Sequence, residues 1–328
     1  MHKLKTICAV ALAAALTLIG ANALQAATCN VPSTPYPTIQ SAASDPTCNT
    51  INVAAGNYTE NVIVAFANTT INGAKAGNHD FTTRSANPLS ESTVNGAAQA
   101  GNVPVFSIRA ADVTIDGFTI KDSVTSGAAN GVAVQAGGDD AAIMNNIFDT
   151  IKTTDAGGNG TAQAVYLTAG GADGVNIENN EMKNVQIARS AKGVLIGDNG
   201  ISNNPSQNVQ VKTNSIHDIT STARGAYGVS VANVLNVSGL KITGNSFSAI
   251  NGTGWVHAVG LEGDTPGAKV NDNDFSNLTG PVTDTRAIWI ESGDPALHFG
   301  VGQIYVPTQA KIQGQPAGDS PVVLSEEC

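Results

Sequence analysis

The sequence predicts an all-β solenoid of stacked parallel coils, on three observations. A corner followed by an apolar residue recurs as AIMNNIF (142–148), VNIENNEM (175–182), VQVKTNSI (209–216), LKITGNSF (240–247) and VNDNDF (270–275). Its closing residues Phe148, Met182, Ile216, Phe247 and Phe275 are spaced by 34, 34, 31 and 28 positions, a period typical of repeat architectures. A second strand keeps the same register: GVAV (131–134), AVYL (164–167), GVLI (193–196), GVSV (228–231), AVGL (258–261) and AIWI (287–290). Both strands alternate apolar with small or polar residues at period two, are rich in β-branched residues, and are separated by Gly, Asn, Asp and Ser, so the pattern is that of strands and not of helices.

Taken in chain order, residues 1–27 read as a signal peptide: Lys3 and Lys5, the apolar run AVALAAALTLIG, then small residues at ALQAA. No later stretch approaches the roughly 18 apolar residues of a spanning helix. A secreted or periplasmic location is therefore expected, with no membrane span. Removal of the signal takes the formal charge from −10 to −10 − 2 = −12, and no Lys/Arg cluster follows, which argues against duplex nucleic acid and anionic membrane as partners. Cys29, Cys48 and Cys328 remain, and export permits a disulfide, assigned to Cys29 and Cys48 as a local staple on the N-terminal end. Cys328 is left over at the end of a tail spanning 307–328, either as an exposed thiol or for pairing with another chain. Residues 75–103, rich in Asn, Ser, Ala and Gly, are expected to bulge from the first coils. The solenoid itself is placed at 28–306, and a monomer is expected.

Asparagine suits the corners because it tolerates left-handed backbone angles and bonds nearby backbone, while stacked copies can bond one another. Asn146, Asn180, Asn214, Asn245 and Asn273 are therefore structural candidates, and VTIDGFTI (113–120) joins the array with Phe118 in their column.

With these repeats the chain resembles the right-handed parallel β-helix proteins of the pectin-lyase-like superfamily over nearly its whole mature length. The opening carries the likeness furthest: PTIQSAA (37–43), INVAAGNYTENVIV (51–64) and TTINGA (69–74), with a capping helix, a first strand and a G-x-Y-x-E turn at Gly56, Tyr58 and Glu60. The resemblance implies a right-handed coil and polysaccharide as partner. In pectin methylesterases a Q-A-V-A-L strand sets a glutamine beside two catalytic aspartates and an arginine. Gln163 in QAVYL matches that glutamine, but no Q-D-T-L-Y, D-F-x-F-G or L-G-R-P-W follows. The carboxylate clusters of pectate lyases and the N-T-D, D-D and G-H-G set of polygalacturonases are also missing. Asp139, Asp140 and Asp173 lie in glycine-rich corners and read as solvated turns.

The outward columns offer a sharper site. One aligns Asn130, Gln163, Lys192, Tyr227, His257 and Arg286; another aligns Ala133, Tyr166, Leu195, Ser230, Gly260 and Trp289; a third ends in Glu262 and Glu291. Coils stack about 4.8 Å apart, so Glu262 and Glu291 could form a carboxylate pair like that of retaining glycosidases, or share a calcium ion. Repulsion between them would raise one carboxylate's proton affinity, as general-acid work needs. Trp289 could stack on a sugar ring, with Trp255 beside it and His257, Arg286, Tyr166 and Gln163 as binding residues. His217 has no cysteine or histidine at ligand spacing, which leaves no zinc site, and phosphate-loop, serine-elbow and H-E-x-x-H motifs are absent. Small, dispersed outward residues and an aromatic content of 5% favour a polysaccharide-binding surface without strong catalysis; a lyase, esterase or hydrolase of acidic glycans is the alternative.

Overall fold

Each repeat closes one coil of three strands. In one coil these are Ala142–Met144, Ile147–Thr153 and Thr161–Leu167; the next supplies Asn176–Glu178, Glu181–Ile187 and Ser190–Ile196, each parallel to its predecessor. Stacking builds three parallel sheets of nine strands, called first, second and third in the order the coil visits them. The computed structural model describes residues 27–291, apart from 97–102, 125, 155–159, 169, 198–205, 233–236, 263–264 and 266–267, together with the strand segments 312–313 and 322–325. Residues 1–26 of the expected signal peptide, and Cys328, lie outside the described residues. Among the described residues no helix is long and apolar enough to cross a membrane.

The interior is made of columns that the repeat predicts. Phe148, Met182, Ile216, Phe247 and Phe275 stack in register and are buried, the last two with rings 5.4 Å apart. Ile115, Ile143, Ile177, Val211, Ile242 and Val270 do the same from the first sheet. In-register stacking gives each side chain a like-shaped neighbour at the coil spacing, which is how a quasi-one-dimensional fold buries a continuous core.

The asparagine column is a buried ladder. The backbone N–H and Nδ2 of Asn146 both donate to Oδ1 of Asn180 (3.0 and 3.2 Å), and the same pair of bonds links Asn180 to Asn214, Asn214 to Asn245 and Asn245 to Asn273. Each Nδ2 also donates to a main-chain carbonyl of the coil before, as Asn180 does to Ile143 (2.8 Å). The left-handed angle, however, falls one residue earlier than expected, at Asn145 (φ 53°), Asn179 (54°), Thr213 (52°) and Asp272 (57°). That residue turns the chain and lets the following asparagine point inward.

Phe118 ends the ladder: its N–H donates to Oδ1 of Asn146, but it has no amide of its own to continue. Arg84 takes over there. Its guanidinium, 1% exposed, forms a two-pronged pair with Glu91 (3.0 and 2.7 Å) and donates to the carbonyls of Asn78, Phe118 and Asn145. The described part of the insertion 75–103 is thus not a free bulge. It contains the helix Phe81–Ala86 and is clamped to the corner by a buried, fully bonded ion pair.

The N-terminal end is closed as the motifs predict. Cys29 and Cys48 are bonded and tie the first strand to the second. Thr38 and Ser41 form a capping box on the short helix Ile39–Ala43, and the carboxylate of Glu60 accepts the N–H groups of Ile39 and Gln40 (3.1 and 2.8 Å). Tyr58 donates its hydroxyl to the carbonyl of Ala54. The G-x-Y-x-E turn is therefore a device for seating the cap.

Candidate functional site

The third sheet carries the predicted outward columns in the expected register. Asn130, Gln163, Lys192, Tyr227, His257 and Arg286 pair rung by rung, as do Ala133, Tyr166, Leu195, Ser230, Gly260 and Trp289. Both columns face outward because the paired register passes over Ala164, Gly193, Gly228 and Ala258, so that two inward residues occur in succession and the strand bends. Gln163 was expected just before its strand; it lies within Thr161–Leu167, because pairing extends through the bend. It is 2% exposed and its Oε1 has no partner.

The rungs are occupied by rings from Tyr227 onward. Lys192 Nζ stands 5.5 Å from the Tyr227 ring, Tyr227 meets His257 edge-on at 5.2 Å, and His257 stacks on Trp289 at 5.2 Å with 10° between planes. Gly260 makes this possible: a Cβ there would come within 3.1 Å of Tyr227 and 3.4 Å of His257 Nδ1. A Cβ at Gly225 would meet the Tyr227 ring at 2.5 Å. His257 is 2% exposed with neither ring nitrogen bonded; burial first, and Arg286 second, push its pKa down to about 3, so it is neutral. Arg286 donates to the carbonyls of Val282 and Thr285. The unbonded buried atoms on this face include Oδ1 of Asn130, Oε1 of Gln163, Oγ of Ser230, both nitrogens of His257 and Nε of Arg286. Buried polar groups are bonded in the great majority of cases, so such a row calls for a functional account.

Beside the rings lies a pocket of about 310 Å³ lined by Thr161, Arg189, Ser190, Lys192, Arg224, Gly225, Tyr227, Trp255 and Glu262. Glu262, one of the predicted carboxylates, belongs to it. Its N–H donates to the carbonyl of Val231, as the same column does in the coils before. The register Leu261 to Ile290 makes Glu291 the next position across from Glu262, while the side chain of Glu291 lies outside the described residues. Tyr166 is half-buried on its strand, and with Gln163 it stands three rungs from the strand of His257 and four from that of Trp289, about 14 and 19 Å at the coil spacing. The structure thus brings His257, Arg286, Trp289 and Glu262 onto one part of the face and leaves Gln163 and Tyr166 farther along it. Arg189, Lys192 and Arg224 were missed as a group: Arg224 follows Arg189 and Lys192 by 35 and 32 residues, and the coil register is what collects them.

The second sheet and the corners add contacts across coils that the sequence does not show. His217 is not isolated: Nδ1 lies 2.7 Å from Asp218 and Nε2 3.4 Å from Glu181, which also pairs with Lys183 at 2.6 Å. The hydrogen bond to Glu181, opposed by burial and aided by Asp218, raises the histidine's pKa. Asp149, near Lys121, accepts from Asn184. The corner aspartates are bonded too, Asp139 to the N–H of Asp173 and Asp173 to the N–H of Gln207. Among the described residues no group of three or more His, Cys, Asp and Glu is placed to hold a metal ion.

A scan against protein-family models finds no match, and no curated protein sequence matches the chain. Among solved structures, a pectin methylesterase in complex with a hexasaccharide is similar, with a TM-score of 0.43 and 11% identity over 77% of this chain and 80% of that one. At that level the likeness transfers neither activity nor site residues.

Proposed function

We propose that this chain is an exported β-solenoid that binds polysaccharide along the outer face of its third sheet, without strong catalytic activity. The observation that carries the reading is the row Lys192, Tyr227, His257 and Trp289 beside an open pocket, with Trp255 51% exposed at its edge. Trp255, and Trp289 where it is partly exposed, offer flat platforms for the apolar faces of sugar rings, with the buried His257 stacked behind Trp289 to hold it in place.

The protein has two tryptophans, Trp255 and Trp289, both on this face, so intrinsic fluorescence reports on the site directly. Titration with pectins, alginate and neutral galactans should quench or shift the emission, and Trp255→Ala should weaken binding at least about tenfold, the equivalent of one good contact. A panel without any spectral change or retention in affinity electrophoresis would remove the proposal.

The alternative is an enzyme using Glu262 and Glu291 as acid and base on an acidic glycan. The feature favouring it is their register in successive coils beside Trp289. Reducing-sugar, unsaturated-product and methanol-release assays, with and without calcium, decide it: product formed by the native chain and lost in Glu262→Gln would make it an enzyme.

A further inference from the structure

From a second carboxamide column, on the outer side of the first sheet, we infer that the groove beside it is a site for a neutral saccharide carrying N-acetyl groups, separate from the third-sheet face. Asn30, Asn52 and Asn72 follow one another rung by rung at the N-terminal end of that sheet, with Asn30 on its edge strand Ala27–Val31. They line an open groove of about 450 Å³ whose walls are otherwise apolar, among them Val31, Pro32, Ala54 and Ala74. Pockets for small ligands have this make-up, roughly 300–1,000 Å³ of mostly apolar wall with a few convergent polar groups. Ser92 shapes the groove: its buried hydroxyl is shared between the carbonyls of Val53 and Ala54 (both 2.9 Å) and accepts the N–H of Ala74 (2.8 Å), which draws both corners toward the body of the solenoid.

The interior ladder shows what carboxamides do at the coil spacing: from Asn146 to Asn273 each one bonds the next. The outer column begins the same pattern and leaves it open. Asn72 Nδ2 donates to Oδ1 of Asn52 (3.2 Å), while Nδ2 of Asn52 and the whole amide of the exposed Asn30 bond no protein group among the described residues. An acetamido group brings the N–H and C=O that continue such a ladder, and its methyl suits walls of proline and alanine. Among the described residues the lining carries no charge. Asp116, the next rung of the column, has its carboxylate taken by the N–H of Gly77 (3.1 Å) and Nδ2 of Asn145 (2.8 Å), and Lys75, between Ala74 and Ala76 in the chain, is half-buried outside the lining. A neutral ligand therefore fits the groove better than an ionised one.

Isothermal titration with tri-N-acetylchitotriose and with cellotriose, which has the same linked rings without acetamido groups, tests this. The first should bind at least about tenfold more tightly, and equally well at low salt and at about 0.3 M salt. Asn30→Ala, on the exposed edge rung, and Ala54→Leu, which fills the groove and leaves the amides in place, should each weaken that binding about tenfold while keeping the melting temperature. In nuclear magnetic resonance spectra of the native chain, the side-chain amide signals of Asn30 and Asn52 should shift during the titration. Trp255→Ala, on the third sheet, should leave the affinity unchanged. Equal binding of the two trisaccharides, no binding of either, unshifted amide signals or full binding by both groove variants would overturn the inference and leave the third-sheet reading to its own test. A loss of binding in Trp255→Ala alone would put the ligand on the third sheet and overturn it as well.

Discussion

Replacing Asn180 by alanine tests the ladder that holds the coils in register. The side chain is fully buried and makes five bonds: Nδ2 donates to Ile143 O (2.8 Å), Glu178 O (3.1 Å) and Asn214 Oδ1 (3.0 Å), and Oδ1 accepts from N and Nδ2 of Asn146 (3.0 and 3.2 Å). Alanine keeps its own N–H on Asn214, and Asn146 Nδ2 keeps Ile115 O, so the net loss is smaller than five bonds. What remains is a buried N–H of Asn146 without its acceptor, while the carbonyl of Ile143, within the ladder to Asn176–Glu178, loses one donor. At about 1–3 kcal/mol for the buried group left unsatisfied and about 1 kcal/mol for the lost bond to Ile143, the cost is about 2–4 kcal/mol. Each kcal/mol moves Tm by about 2–4 °C in chains of 150–250 residues, and by the lower figure in a longer one, so a drop of about 4–8 °C is expected by calorimetry or circular dichroism. Asn179→Ala, one residue earlier, removes only a left-handed corner and an exposed bond from Thr213 and should cost roughly 1–2 kcal/mol. Asn273→Ala, at the last rung of the ladder among the described residues and 9% exposed, should also cost less than Asn180→Ala. A Tm within about 2 °C of the parent for Asn180→Ala, or a larger drop for Asn179→Ala, would refute the argument that the inward amides and not the turn angles lock the stack.

Two buried titrating groups give opposite pH signatures. Asp122 is 2% exposed and burial raises its pKa to about 6, against which one N–H from Asn130 works. A carboxyl with a raised folded pKa stabilises the fold fully below its unfolded value near 4 and loses that contribution as pH rises through about 6, worth about 3 kcal/mol by linkage. Asp122→Asn should therefore raise stability relative to the parent at pH 8, with the gain vanishing near pH 4; a difference independent of pH in urea melts would contradict it. His257, with its folded pKa lowered to about 3, is the reverse case: its contribution is present above about 6.5 and falls as pH drops toward 3. His257→Phe should flatten the acid limb of stability between pH 6.5 and 4, and an unchanged limb would mean that the ring is solvated in solution.

Most of the fold was legible because a solenoid repeats its physics. Period-two alternation, a recurring corner and a fixed interval give the coil, and the same alignment placed the columns through Tyr227, His257 and Arg286 and through Gly260 and Trp289 on the correct rungs. What the sequence hid was conformation within a corner and partners across coils. An Asn-Asn pair does not say which member takes the left-handed angle, and nothing local in HDFTTRSANPLSES marks Arg84 as the plug where Phe118 interrupts the ladder. His217 looked solitary because its partner Glu181 is 36 residues away, one coil back. The candidate site was legible only in part for the same reason: Glu262 and the rings lie in columns that the repeat alignment gives, while Arg189 and Arg224 precede their strands and come together only through coil stacking.

The contrast between the two charged faces is what separates scaffold from site. On the second sheet, Lys121 meets Asp149, Lys183 meets Glu181, and His217 lies between Glu181 and Asp218, so each charge has an opposite across a rung or beside it. Such partly exposed pairs contribute little individually, but they let long polar side chains stack at 4.8 Å without repulsion, which is a register device. The third sheet is built differently: it buries Lys192 against an aromatic ring and leaves His257 neutral with both nitrogens unbonded, an arrangement that register alone does not require.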